Sequence, residues 1–185
     1  MLETGETATA SLRPAGFLRL PTGRLVAADP SWVADAERLR VVAYTVPVKP
    51  GRYPLTLALA GPLVAAARLT VADEPIDRWE MALRPGEDPS TLKPGEAFNV
   101  GVDTGTVLMF DAAALPAFAR RSEQEEDFAE VPDERPAEVT DPASGANGIA
   151  FHSGMGDGGY PVWIGRTRDG AVGCFLVDLA LLPAT

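Results

Sequence analysis

The residues of this chain that could do chemistry are concentrated in one glycine-rich stretch, residues 147–161, which contains the single histidine, His152, and one aspartate, Asp157. Five glycines lie in the same stretch. Glycine is favoured where φ must be positive or where another group approaches the main chain closely. The stretch is therefore either a tight structural corner or a loop that surrounds a ligand, and the sequence leaves both alternatives open.

Any Ser-His-Asp or Cys-His arrangement would have to use His152, because the chain has no other histidine. Ser153 cannot be its partner in an extended segment, since adjacent side chains point to opposite faces of a strand. Cys174 could meet it if their strands pair, but the apolar surroundings of Cys174 are typical of a buried, unreactive thiol. A single cysteine also excludes an intramolecular disulfide and a cysteine-rich zinc site.

The run 154–158, Gly-Met-Gly-Asp-Gly, is similar in composition to glycine-rich phosphate loops. Those loops lead into a helix whose first N–H groups face the anion. Here the run leads into Tyr-Pro-Val-Trp-Ile at 160–164, which is typical of a strand. The context therefore excludes a dinucleotide site.

Aspartates offer a different chemistry. Asp103, Asp111, Asp157 and Asp178 could converge at one end of a sheet, and Ca²⁺ or Mg²⁺ prefers several such oxygens. Asp103, Asp157 and Asp178 are therefore candidate metal ligands. Aspartates beside glycines are also common turn formers that bond to their own backbone, and in that alternative the protein needs no cofactor. The single Asp-Thr-Gly triplet at 103–105 is half of what an aspartic protease requires.

The formal net charge of −10 is concentrated in one part of the chain. Between Ser122 and Pro142, called the acidic segment here, nine acidic residues accompany one basic residue, Arg135, for a net charge of −8. This segment is either a solvated helix face and loop or a docking surface for a basic partner. The sequence has no cluster of Lys and Arg of the kind that replaces counterions on phosphates, so we expect no nucleic-acid binding.

Short β-prone runs separated by Gly, Pro and Asp make up most of the chain. In 53–60 the larger side chains recur at every second position, which predicts one buried face. Asp169-Gly170 predicts a hairpin between the last two runs. The predicted strands are 24–28, 39–48, 52–60, 63–71, 76–83, 98–110, 148–153, 160–167 and 171–179.

One main helix is predicted over 111–131, where an apolar stripe recurs every three or four residues. Pro116 is tolerated only in the first turn, which places the regular helix nearer to Leu115. A shorter helical turn is predicted at 31–38, with Ser31 as its N-cap. The composition of 132–146, rich in Pro, Glu, Asp and Ser, predicts a mobile acidic loop.

These elements predict a single domain over 1–185 that is mainly β, a β-rich α+β fold with either two packed antiparallel sheets or a partly open barrel and one main helix. The first residues carry no basic or apolar region, and the longest apolar stretch, 55–72, is interrupted by Gly61-Pro62 and Arg68. We therefore expect a cytoplasmic protein without membrane attachment. The residues Trp32, Trp79, Trp163 and Tyr160 are either buried or line a pocket or a homodimer interface.

Three blocks of the sequence resemble DUF4241, a bacterial family of unknown function. The first is 23–30, the second runs from Tyr53-Pro54 through 79–83 to 101–106, and the third is 151–165, continuing to Asp178. In the third block this chain has Met155 where the family often has an aromatic residue. The resemblance implies a shared fold and a candidate site but no reaction.

We expect a non-catalytic binding or protein-interaction module that uses the surface of the glycine-rich loop. The alternative is a divalent-metal-dependent hydrolase in which His152 acts as acid or base. The candidate ligand-binding residues are Asp103, Thr104, Gly105, His152, Ser153, Gly154, Gly156, Asp157, Gly158 and Tyr160.

Overall fold

The computed structural model describes residues 10–125, 128–132 and 135–179. Within these residues the chain forms eleven strands and one α-helix. The strands are β1 (Ser11–Leu20), β2 (Leu25–Ala28), β3 (Gly51–Ala60), β4 (Leu63–Thr70), β5 (Arg78–Met81), β6 (Asn99–Val102), β7 (Thr106–Asp111), β8 (Ala137–Asp141), β9 (Ala146–His152), β10 (Gly158–Arg166) and β11 (Val172–Asp178), and the helix is α1 (Leu115–Gln124).

The strands form two antiparallel sheets. The large sheet has the order β1-β3-β4-β11-β10-β5, and β6 pairs with the first half of β10, next to β5 on the same edge. The small sheet has the order β2-β7-β9-β8. The prediction of a mainly β fold with two packed sheets and one helix is confirmed, and the described strands do not close into a barrel. No helix among the described residues is long and apolar enough to cross a membrane.

The main core lies between the two sheets. On β3 the side chains of Leu55, Leu57 and Leu59 are buried while their neighbours are partly exposed, as the alternating pattern predicts. They pack with Met109 and Phe151 of the small sheet in one cluster. Each fully buried side chain of this size contributes about 1.5–3 kcal/mol relative to an exposed one.

The inner strands β7 and β9 of the small sheet are covered on both faces, and all six residues of β7 are buried. Val107 and Met109 join the core between the sheets, whereas Leu108 and Phe110 join a second cluster on the opposite face. A third layer, made of α1 and the segments around it, covers that second cluster. Because both faces are covered, the strand is a continuous apolar run instead of an alternating one.

The third layer is attached to the small sheet by aromatic contacts. The ring of Phe118 on α1 lies 5.4 Å from that of Phe110 and 5.6 Å from that of Phe128. Gly148 on β9 permits this approach, because an added Cβ would lie 2.9 Å from the Phe118 ring. The helix is therefore positioned by the sheet beneath it.

The helix is shorter than the sequence predicts. Asp111 caps a 3₁₀ turn at Ala112–Ala114, and α1 follows from Leu115 with Pro116 in its first turn. The helix ends at Gln124, so the prediction that it extends to 131 is wrong. Because the helix ends before Phe128, this residue packs against the small sheet. The next residue, Ala129, has a φ of 59°.

Three further predictions need correction. Segment 39–48 is irregular, because its N–H groups bond to carbonyls in two separate parts of the chain. Tyr44 and Val48 donate to Leu25 and Gly23, whereas Thr45 donates to Leu83. The helical turn near 31 is a 3₁₀ turn, Pro30–Trp32, capped by Asp29 and not by Ser31. The run 98–110 is two strands in different sheets, β6 and β7.

The strands β1 and β8 also differ from what their local sequence predicts. The strand β1 was not predicted, because Pro14 and Gly16 interrupt its pattern and its register shifts between them. Part of the predicted mobile loop 132–146 is the strand β8, which pairs with β9, while residues 133 and 134 lie outside the described residues. The C-terminal hairpin of β10 and β11 is confirmed, and Gly170 in its turn has a φ of 86°.

Candidate functional site

Two neighbouring segments pass from one sheet to the other at the same place. The segment 103–105 joins β6 of the large sheet to β7 of the small sheet, and 153–157 joins β9 of the small sheet to β10 of the large sheet. On one side Val102 pairs with Gly158, and on the other Thr106 pairs with His152. We call these two segments the crossover corner. The glycine-rich stretch is therefore the place where two paired strands change sheets together.

Hydrogen bonds replace the strand pairing across the crossover corner. The N–H of Ser153 donates to the carbonyl of Gly105 at 2.9 Å, and the N–H of Gly105 donates to Oδ1 of Asp157 at 3.0 Å. The carbonyl of Gly156 accepts the hydroxyls of Ser153 (2.6 Å) and Tyr160 (2.8 Å). The Asp157 carboxylate thus supplies the acceptor that a neighbouring strand would otherwise provide.

Glycine is required in this corner because the backbone turns through the left-handed region. Gly105, Gly154 and Gly156 have φ values of 63°, 72° and 90°. L-residues reach such values only at a cost of about 1–2 kcal/mol each. Gly158 continues as extended chain at the start of β10, where it pairs with Val102.

A buried carboxylate outside the predicted site residues positions the first segment of the corner. Asp29, at the end of β2, is fully buried. Its Oδ2 accepts the N–H groups of Asp103 (2.7 Å) and Thr104 (2.8 Å), and its Oδ1 accepts the N–H of Ser31 at 2.8 Å. The signal in the sequence was Asp-Pro-Ser at 29–31, since an aspartate before proline is a typical cap of a short helical turn.

Asp103 is engaged by a tryptophan. The indole N–H of Trp32 donates to Oδ2 of Asp103 at 2.9 Å. The same indole ring lies against Gly101, where an added Cβ would be 2.1 Å from a ring atom. Trp32 is therefore part of the site, whereas Trp79 is 49% exposed on the edge strand β5 of the large sheet. The site thus contains one of the three tryptophans that the sequence offered for a pocket or an interface.

A cleft of about 920 Å³ lies beside the corner, between the 3₁₀ turn after β2, the end of α1 and the segment 128–131. A second, smaller cavity of about 260 Å³ lies against Pro62–Val64, Gly105, Gly154 and Gly156. His152 lines both cavities. The sole imidazole is therefore accessible from either of them.

The polar lining of the cleft is rich in oxygen. It includes the hydroxyls of Ser31, Thr104, Thr106 and Ser122 and the carboxylates of Glu125 and Glu130. Arg121 donates two hydrogen bonds to Glu125, at 2.9 and 2.8 Å, and these bonds lower the pKa of Glu125 from its ordinary value. Among the described residues that line the cleft, none is lysine or arginine.

The structure does not assemble the predicted metal ligands. Asp103 and Asp157 lie in the two segments of the corner, but Asp178 lies on β11, opposite Ala66 and separated from β6 by β10. Asp111 caps the turn at the far end of β7. Within the part of the chain that the structure describes, no three His, Cys, Asp or Glu side chains form a group that could hold a metal ion. Asp111 and Asp157 accept backbone N–H groups, and Asp103 accepts the indole N–H of Trp32.

The two possible nucleophiles, Ser153 and Cys174, do not face the cleft. Ser153 is fully buried and donates its hydroxyl hydrogen to the carbonyl of Gly156. Cys174 lies on β11 of the large sheet, in a different sheet from His152, and burial raises the pKa of its thiol. Neither residue lines the cleft.

The family model described as "Protein of unknown function (DUF4241)" matches residues 18–177. The match begins in β1, ends in β11 and includes both segments of the crossover corner. The chain belongs to the DUF4241 family. The resemblance seen in the three sequence blocks is thereby confirmed, and the family description carries no activity. No curated protein and no solved structure matches the chain.

Proposed function

We propose that this DUF4241 protein is a non-catalytic binding module whose ligand occupies the cleft beside the crossover corner. The observation that carries the proposal is the position of His152, which lines the cleft together with Thr104 and Thr106 at a point that internal hydrogen bonds hold in place. The volume of the cleft, about 920 Å³, lies within the range of about 300–1,000 Å³ that is typical of ligand sites. A site of this size admits a small molecule or a segment of a partner protein.

The polar groups around the cleft support binding over catalysis. A nucleophile needs a base within hydrogen-bond reach and an orientation toward the substrate. The hydroxyl of Ser153 is buried and donates to Gly156, and the thiol of Cys174 belongs to the other sheet. The hydroxyls that do line the cleft donate to internal acceptors, which suits recognition of a ligand by fixed groups.

The corner residues of the sequence prediction divide between the two cavities. Thr104 lines the cleft, while Gly105, Gly154 and Gly156 line the smaller cavity. Asp103, Ser153, Asp157 and Tyr160 bond to Trp32 or within the corner and hold its shape. In the proposed module Thr104 contacts the ligand, and the residues that hold the corner's shape keep Thr104 in position.

The single histidine gives a direct test. In a spectrum of uniformly labelled protein His152 produces one imidazole Cε1–H signal, so a screen of small polar molecules and short peptides can be followed at one known position. We expect ligands that shift this signal to shift the methyl signals of Thr104 and Thr106 as well. The indole signal of Trp79, on the large sheet, should stay unchanged.

A variant pair makes the test quantitative. Thr106→Val removes one hydroxyl from the cleft with little change of shape, and the loss of a hydrogen bond of about 1 kcal/mol should weaken binding about five- to ten-fold. Thr56→Val, on the exposed side of β3, is the matched control. The proposal fails if the ligands found perturb other surfaces, or if both variants bind them as the natural protein does.

A further inference from the structure

The four hydroxyl groups in the cleft all donate their hydrogen to acceptors within the protein. Ser31 and Thr104 donate to Asp29, at 2.7 and 2.9 Å. Ser122 donates to the carbonyl of Pro30 at 3.2 Å, and Thr106 donates to the carbonyl of Thr104 at 3.4 Å. A hydroxyl has one hydrogen to donate and two lone pairs that accept. These groups therefore present acceptors, and not donors, to a ligand.

The charged residues of the lining also favour a ligand that donates hydrogen bonds. Glu125 and Glu130 are the charged residues among the described lining, and both are acceptors when ionised. Arg121 pairs with Glu125 from outside the lining. His152 is the single lining side chain that carries a ring N–H donor. A ligand that satisfies this surface must bring its own hydrogen-bond donors.

The net charge of the segment that supplies part of the lining extends the preference beyond a single contact. Ser122, Glu125, Glu130 and Val131 of the lining belong to the acidic segment, 122–142, which carries a net charge of −8. The rest of the chain is close to neutral, because the whole carries −10. Charge complementarity therefore favours a ligand with several positive groups along its length.

Part of the lining is apolar. Pro30, Ala34, Phe128 and Val131 form that side of the cleft, and the ring of Phe128 already lies under the guanidinium of Arg121 at 5.4 Å. Lysine and arginine carry aliphatic stems that cover apolar surface while the charged end reaches polar groups. The combination of acceptors and an apolar wall matches such side chains.

We infer that the ligand of the cleft is a basic segment of a partner polypeptide, bound through ammonium or guanidinium groups that donate to Thr104, Thr106 and Glu130. This inference rests on the proposed function and specifies the class of its ligand. The partner's lysine or arginine stems lie along Phe128 and Val131, and its further positive charges face the acidic segment.

The probe for the test is a fluorescein-labelled octapeptide of alternating Lys and Ala, with an octapeptide of alternating Glu and Ala as its charge-inverted control. We expect the Lys peptide to raise fluorescence anisotropy and to shift the His152 imidazole signal, and the Glu peptide to do neither. Glu130→Gln should weaken binding of the Lys peptide about ten-fold or more, the effect of losing one charge-assisted hydrogen bond.

Glu123→Gln is the matched control. Glu123 is exposed on α1, belongs to the same acidic segment and does not line the cleft, so it changes the net charge equally and should leave the affinity within about two-fold. Equal losses in both variants would mean unspecific attraction to the acidic segment and would overturn the inference. Melting curves of both variants establish that each is folded.

Two further outcomes separate the inference from the function on which it rests. If the Lys peptide does not bind while neutral or anionic molecules of the screen shift the His152 signal, the ligand class is wrong and the binding function stands. If nothing shifts that signal, both fail. Displacement of the Lys peptide by spermidine at equal total charge would assign the site to a free polyamine and overturn the polypeptide partner.

Discussion

At the scale of single residues, Asp29 does most to define the site. It is fully buried, yet its two oxygens accept three backbone N–H groups and the hydroxyls of Ser31 and Thr104. A buried carboxylate is stable only when its acceptor capacity is used in this way. The arrangement joins the end of β2 to the segment 103–105, and it orients two of the four hydroxyls that line the cleft.

Replacement of Asp29 by alanine should therefore destabilise the whole protein. The substitution leaves the N–H groups of Ser31, Asp103 and Thr104 without their acceptor, and we expect the free energy of unfolding to fall by about 3 kcal/mol or more. Urea titration followed by tryptophan fluorescence measures the change. Asp35→Ala, which removes an exposed partner of Arg38, should cost less than about 1 kcal/mol. Similar losses in the two variants would contradict the organising role of Asp29.

At the scale of elements, the hairpin of β8 and β9 shows how a polar turn orders a segment with loop-like composition. The carboxylate of Asp141 accepts the N–H groups of Ala143 (3.1 Å) and Ser144 (3.3 Å) and the hydroxyl of Ser144. The N–H of Gly145 closes the turn on the carbonyl of Asp141 at 3.0 Å, with a φ of 75°. The hydrogen bond from the Ser144 hydroxyl is the main cause that lowers the pKa of Asp141 below its ordinary value of 3.8.

This turn predicts a pH-dependent effect of Ser144→Ala. Because the native pKa of Asp141 is lowered, the stability from its charged form is complete above the unfolded value of 3.8 and is lost as pH falls through the lower native value. The natural protein should be more stable than Ser144→Ala by about 1 kcal/mol at neutral pH, and the difference should shrink below pH 3.8.

Chemical denaturation at a series of pH values measures that difference. In an Asp141→Asn background the same serine substitution should have an effect that does not change with pH, since the titrating group is gone. A difference between the natural protein and Ser144→Ala that grows in acid would show that another group is responsible.

At the scale of the whole molecule, the layers differ in net charge and in how much of each layer's surface is buried by its neighbours. The small sheet lies in the middle, with the large sheet on one face and the layer of α1 on the other. The acidic segment, which carries a net charge of −8 in the sequence, begins in α1 and ends just after β8, and its residues Ser122, Glu125 and Glu130 line the cleft. Charges of one sign held close together repel each other and oppose the compact state.

Screening of this repulsion should stabilise the protein. We expect the melting temperature to rise when NaCl is increased from about 20 mM to about 300 mM, where the screening length falls from about 20 Å to about 6 Å. Glu123→Gln, which removes one charge of the acidic segment, should reduce the rise. A melting temperature that falls with salt would show that attractive ion pairs outweigh the repulsion.

Local signals were sufficient for much of the fold. The alternation in 53–60, the Asp169-Gly170 turn and the effect of Pro116 on the helix start each depend on residues adjacent in the chain, and each is found as predicted. The class of fold follows from the same short-range patterns, because each strand must bury one face. The glycines of 147–161 likewise indicated either a corner or a ligand-surrounding loop, since positive φ is a property of the residue and its neighbours.

The partners of these elements depended on contacts between distant parts of the chain. Asp29 bonds to Asp103 across 74 positions, and nothing adjacent to either residue specifies that pairing. The run 98–110 divides between two sheets because β10 pairs with one half and β9 with the other. Composition and spacing predicted a β-rich domain in which the glycine-rich stretch is either a corner or a loop that surrounds a ligand. The packing of the third layer against the small sheet placed His152, four hydroxyls and two carboxylates around one cleft, because a cleft exists only between surfaces that tertiary contacts bring together.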